Sequence, residues 1–136
     1  MNILVIDAQG GGIGRQLVAA IRETILGAEI TAVGTNSIAA SAMRKAGADH
    51  AATGENAVVV ACRKADVIVG PIGIVIADAL YGEITPAMAA AVGQSRAKRI
   101  LIPFNHCDNI LVGVPNLSVG ALLQETRDIL RRLAEN

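Results

Sequence analysis

The stretch Asp7-Ala8-Gln9-Gly10-Gly11-Gly12-Ile13-Gly14 lies between a continuous apolar run, Asn2–Ile6, and a segment that places Leu17, Val18, Ile21 and Ile25 at helical spacing. A strand, a glycine-rich turn and a helix in that order commit the start of the chain to one supersecondary unit. Glycine lets the main chain approach a ligand closely, and a helix N-terminus offers unpaired N–H groups to an anion. The loop therefore reads as a phosphate cradle built from Asp7, Gln9, Gly10, Gly11, Gly12, Ile13 and Gly14.

The same alternation continues down the chain. Ile30–Val33 predicts a second strand, Gly34-Thr35-Asn36 a turn, and Ser37 the cap of a helix running to Lys45 before Gly47. A short strand over His50–Ala52 precedes Thr53-Gly54-Glu55-Asn56 and a helix over Ala57–Lys64. Val67–Val69 predicts a further strand, Gly70-Pro71-Ile72-Gly73 a turn and Val75–Leu80 a short helix; Thr85-Pro86 starts another helix. Ile100–Phe104 is the fifth strand, and Ile110–Val112 follows too closely for a parallel crossover. That run is either a short antiparallel sixth strand or irregular. Leu117–Leu133 closes the chain as an amphipathic helix. The expectation is a single α/β domain over residues 1–136, a mainly parallel five-stranded sheet covered by helices on both faces.

Twelve basic residues balance twelve acidic ones, and Tyr81 and Phe104 are the only aromatics. Neither a basic surface nor a base-stacking platform for nucleic acid follows from this. The apolar runs are too interrupted to span a bilayer, and Met1-Asn2-Ile3 does not begin a secretory signal, so a cytoplasmic protein with Cys62 and Cys107 as free thiols is expected. With 52% hydrophobic residues in a small chain, little polar surface remains to cover the core, which favours a homodimer or larger homo-oligomer.

In an open parallel sheet the ligand lies beyond the carboxyl ends of the strands, at the point where strand order reverses. Five loops should meet there. Besides the glycine loop they contribute Thr35, Asn36 and Ser37; Gly54, Glu55 and Asn56; Gly70, Pro71 and Gly73; and Asn105 and Cys107. Turns collect such residues for conformational reasons alone, but five alike on one edge would serve a polar ligand.

The familiar catalytic patterns do not complete themselves. Arg15 stands where Gly-x-Gly-x-x-Gly needs its last glycine, and Thr35-Asn36-Ser37 stands where a ribose-binding acid is expected. Gly11-Gly12-Ile13-Gly14 approximates the loop ending of short-chain dehydrogenases, but Tyr81 is followed by Thr85 and not by that family's lysine. Arg15 and Gln16 replace the lysine and hydroxyl residue of a P-loop. Asn105-His106-Cys107-Asp108-Asn109 sets a thiol beside an imidazole, yet adjacent residues often point apart and the cluster lacks zinc spacing. No residue stands out as a general base, and no metal site is expected.

The combination Asp-x-Gln-Gly-Gly-Gly-Ile-Gly, Gly-Thr-Asn, Gly-Glu-Asn and Gly-Pro-Ile-Gly-Ile-Val-Ile-Ala-Asp resembles a bacterial family of short Rossmann-like proteins of unknown function, over nearly the whole chain. The resemblance implies a Rossmann-like fold and carries no catalytic residues to transfer. The leading expectation is a domain binding a nucleotide, a dinucleotide such as NAD(P), or another small anionic metabolite. Two alternatives stand beside it: a small-molecule transferase or lyase using Cys107 or His106, and a structural subunit with an interface on Ala87–Val92.

Overall fold

The computed structural model describes residues 1–104 and 108–136. Along the chain run β1 (Asn2–Asp7), α1 (Gly12–Thr24), β2 (Glu29–Gly34), α2 (Ser37–Lys45), β3 (His50–Thr53), α3 (Glu55–Lys64), β4 (Val67–Pro71), α4 (Pro86–Gln94), β5 (Lys98–Ile102) and α5 (Val119–Glu135). The five strands form one parallel sheet in the order β3-β2-β1-β4-β5. From β1 the chain winds outward through β2 and β3, then returns to the other side of β1 for β4 and β5. The order therefore reverses between β1 and β4.

Alternate residues of β1 face opposite layers, as the pleat requires. Ile3 and Val5 join Leu17, Ile21, Met43 and Leu130 in a core under α1, α2 and α5. Leu4 and Ile6 join Val58, Ile68, Ile84 and Met88 in a second core under α3 and α4. A strand covered on both faces needs no polar alternation, which is why β1 and β4 read as unbroken apolar runs. Val58, Val59 and Val60 accept helical backbone because α3 can bury Val58 against the sheet. Tertiary burial here overrides the weak helix preference of β-branched residues.

Two local expectations are corrected, and one left open between two readings is decided. Val75–Leu80 is not a helix: Ile72–Val75 forms one 3-10 turn, and Asp78, Leu80 and Tyr81 then take left-handed φ values of 65°, 57° and 58°. The Asp78 N–H donates to Ile84 O at 2.7 Å and the Ile84 N–H to Ala79 O at 3.2 Å, closing a compact strap that buries Leu80 and Ile84. Burial of those two side chains, not local helix propensity, sets the backbone. β5 stops at Ile102, before Pro103, which has no N–H for a ladder, and the Phe104 N–H folds back to Ile102 O at 2.7 Å. Of the two readings for Ile110–Val112 the irregular one holds: the run is unpaired in the sheet, and Ile110 and Val112 are exposed. Asn105, His106 and Cys107 lie outside the described residues.

Candidate functional site

The register aligns the carboxyl ends of the strands. Asp7 pairs with Gly34, Gly34 with Thr53, and Pro71 with Ile102, so the loops after the strands share one edge. At the β1/β4 reversal they leave a cleft of about 340 Å³. Its wall is the turn Asp7–Gly10 with Gly12, Ile13 and Gln16; Pro71, Leu80 and Phe104 face that turn.

The glycines of this region divide by what holds them. A Cβ at Gly11, whose φ is 71°, would stand 2.9 Å from Ala39 Cα, and one at Gly14 would stand 2.7 Å from both Asp7 Cβ and Met43 Sδ. Gly34 and Gly70 are equally confined, 2.5 Å from Ala40 N and Ile6 O respectively. Gly10 and Gly12 differ. Neither has a left-handed φ, and a Cβ on either would meet nothing within 4 Å.

Asp7 acts at the end of β1 as an internal cap for α1. Gly11, at the cap position, has no side chain to offer, and Asp7 replaces it: Oδ2 accepts the Gly14 N–H at 2.7 Å and Oδ1 the Ala8 N–H at 2.8 Å. Burial pushes the Asp7 carboxyl above its usual range; the two N–H groups oppose this, and the charge of Glu83 reinforces it. Among the described residues, the Gly12 and Ile13 N–H groups have no acceptor, as the first turn of a helix leaves them.

The β2 loop reaches the cleft wall both directly and through Glu83. Asn36 caps α2 by accepting the Ala39 N–H at 2.9 Å, and its amide donates to Gln9 O at 2.9 Å. Asn36 Nδ2, the Thr35 hydroxyl and the Gln9 N–H all donate to one oxygen, Oε1 of Glu83, at 2.8, 2.6 and 3.0 Å. Partial burial raises the Glu83 carboxyl, but the bonds from Thr35, Gln9 and Asn36 outweigh it and hold the group below its ordinary value. Farther along the edge the Thr85 hydroxyl donates to Glu55 Oε1 at 2.6 Å, tying the start of α4 to that of α3.

Of the residues predicted from sequence, Asp7, Gln9, Gly10, Gly12, Ile13 and Pro71 line the cleft. Gly11 and Gly14 shape its turn from behind, and Thr35 and Asn36 hold its wall both directly and through Glu83. Ser37 lies instead beside a groove between α1 and α2, with Arg15 and Lys45. Gly54, Glu55 and Asn56 open α3, Gly70 lies inside β4, and Gly73 packs beneath Leu80; none of these lines the cleft. Asn105 and Cys107 fall outside the described residues. Cys62 is a core residue whose thiol is pushed up to about 11 by burial.

Sequence reasoning missed Gln16, Leu80, Glu83 and Phe104. For Glu83 a signal existed: an acid is absent after β2, and Glu83 is a lone carboxylate between the Tyr81-Gly82 turn and the Thr85-Pro86 helix start. Among the described residues no three of His, Cys, Asp and Glu converge as a metal site would require. No helix among them is long and apolar enough to cross a membrane.

A family described as domain of unknown function DUF3842 matches residues 2–135, and the chain belongs to that family. The crystal structure of a dodecameric FMN-dependent Ubix-like decarboxylase from Escherichia coli O157:H7 is similar at 20% identity and a TM-score of 0.47, over 98% of this chain and 76% of that one. No curated protein matches the chain significantly.

Proposed function

We propose that the chain binds a small phosphate-bearing ligand, a nucleotide or nucleotide-like metabolite, in the cleft between the Gly10–Ile13 turn and Pro71. The observation that carries this reading is the pair Gly10 and Gly12, which line the cleft where neither packing nor φ calls for glycine. Glycine loses more backbone freedom on folding than any other residue, and close approach of a ligand to the main chain is what offsets that loss here. The open N–H groups of Gly12 and Ile13, at the positive end of α1, suit an anion. Among the described residues no lysine or arginine lines the cleft, so main-chain groups hold the phosphate. A volume of about 340 Å³ is at the small end for ligand sites, and it favours a mononucleotide-sized occupant over a whole NAD(P) molecule.

Calorimetric titration with AMP, ATP, FMN, NAD and NADP tests this in the unmodified chain and in Gly12→Asp. The space around position 12 leaves the fold intact, and a carboxylate in the first turn suits the helix dipole while opposing a bound phosphate. The expected result is a loss of affinity of about a hundredfold with an unchanged melting temperature, an effect on the scale of a lost charge-assisted contact. Binding indifferent to Gly12→Asp, or no binding at all, rejects the reading.

Assembly into a homo-oligomer has its own support. Of the eight large exposed hydrophobic residues described, Ile110, Val112, Val114 and Leu117 fall in one irregular segment. Such a patch is suited to burial against a second copy.

A further inference from the structure

Resting on the ligand reading above, we propose that Glu83 selects the ligand: its unused carboxylate oxygen accepts a hydroxyl of a ribosyl group attached to the bound phosphate and excludes a second phosphate at that hydroxyl. A sugar-binding acid is absent from the loop after β2, where Thr35-Asn36-Ser37 stands. Folding supplies one from another segment, because the strap between β4 and α4 carries the Glu83 carboxylate onto Thr35 and Asn36.

The two oxygens of Glu83 have different surroundings. Oε1 takes the donors from Gln9, Thr35 and Asn36. Oε2 takes none among the described residues, and since no buried side-chain oxygen there lacks a partner, Oε2 reaches solvent. Gln9 belongs both to this cluster and to the cleft wall, so the carboxylate, which does not itself line the cleft, stands one hydrogen bond away from it. An ionised carboxylate only accepts hydrogen bonds, which suits a sugar hydroxyl and repels a phosphate. Thr35 and Asn36, the donors that a phosphate beside Glu83 would need, are already committed to Glu83. Arg15 and Lys45 line the neighbouring α1/α2 groove, which shares Gln16 with the cleft but not the Glu83 cluster.

The strap that carries this acid is itself held by the burial of Leu80 and Ile84. Asp78, Leu80 and Tyr81 are all left-handed, a conformation that costs non-glycine residues about 1 kcal/mol or more each. Clustered strain of this kind persists where surrounding contacts enforce it, and it is concentrated at ligand clamps.

Equilibrium titration of the full chain with AMP, 2′,3′-dideoxyadenosine 5′-monophosphate and adenosine 2′,5′-bisphosphate tests the assignment. AMP is expected to bind at least about tenfold more tightly than either of the others, because a site built to bond a hydroxyl discriminates against analogues lacking it. In Glu83→Gln the preference over the bisphosphate should shrink to within about threefold, whereas Glu83→Asp, which keeps the charge, should retain it. Equal affinities for the three nucleotides in the unmodified chain, with binding still lost in Gly12→Asp, overturn the role of Glu83 and leave the phosphate site standing. Absence of binding by all three overturns the role of Glu83, and absence of binding by ATP, FMN, NAD and NADP as well overturns the phosphate site.

Discussion

Gly14 and Gly10 are the same residue type four positions apart, and they answer to different forces. At Gly14 a Cβ would stand 2.7 Å from Asp7 Cβ and Met43 Sδ and 2.9 Å from Asp7 Oδ2, in a core with no room to give. Gly14→Ala should therefore cost about 1–3 kcal/mol, as overpacked sites do. At Gly10 nothing lies within 4 Å, so Gly10→Ala should leave stability within about 0.5 kcal/mol of the parent. Urea denaturation of the two variants checks the contrast. Equal losses would mean that the turn is held by something other than the packing of Gly14 against Asp7.

At the scale of elements, the strap from Ile76 to Glu83 joins the β1 and β2 loops through one carboxylate, and its contribution depends on pH. The folded value of Glu83 is lowered by its three hydrogen bonds, so its stabilisation is present above the unfolded value near 4.5 and is lost as pH falls through the folded value. Asp49, lowered by the Ile30 N–H and Arg22, acts in the same direction. Asp7 acts in the opposite one: its folded value is raised, so its contribution is present below 3.8 and is lost as pH rises through the folded value. Glu83→Gln should cost about 1–3 kcal/mol at neutral pH, the range for charge-assisted hydrogen bonds, and should lose less stability than the parent between pH 5 and roughly 3. Thermal melts across that range measure the difference. Parallel pH profiles would show that the strap is held by Leu80 and Ile84 alone.

For the molecule as a whole, the segment carrying Ile110, Val112, Val114 and Leu117 predicts association. Light scattering of the full chain should give a mass that is a multiple of 14.0 kDa, and Val112→Glu should shift it toward the monomer without lowering the melting temperature of the fold. A monomer in the unmodified chain would leave these side chains as a solvated surface. The layered architecture was the most legible property at this scale. Apolar runs bounded by turn residues reveal strands covered on both faces, and leucine, isoleucine and valine at helical spacing reveal the helices between them. Local patterns failed where a single long-range contact outweighs them. Val75–Leu80 has the spacing of a short helix, but the strap gains more by burying Leu80 and Ile84 and by bonding Asp78 to Ile84.

By itself the sequence determined the strand, turn and helix order outside the strap between β4 and α4, the two-faced parallel sheet, and the glycine turn after β1, because these depend on periodicity and on conformations that few residue types allow. It also exposed the absence of an acid after β2. Only the tertiary structure decided which glycines serve packing and which border open space, since that depends on residues such as Ala39 and Met43 that are distant in the chain. Only the tertiary structure brought Glu83 to Gln9, Thr35 and Asn36, across separations of 74, 48 and 47 residues. Periodicity cannot report a contact over such distances, because the path of the strap is set by what it buries rather than by its neighbours in sequence.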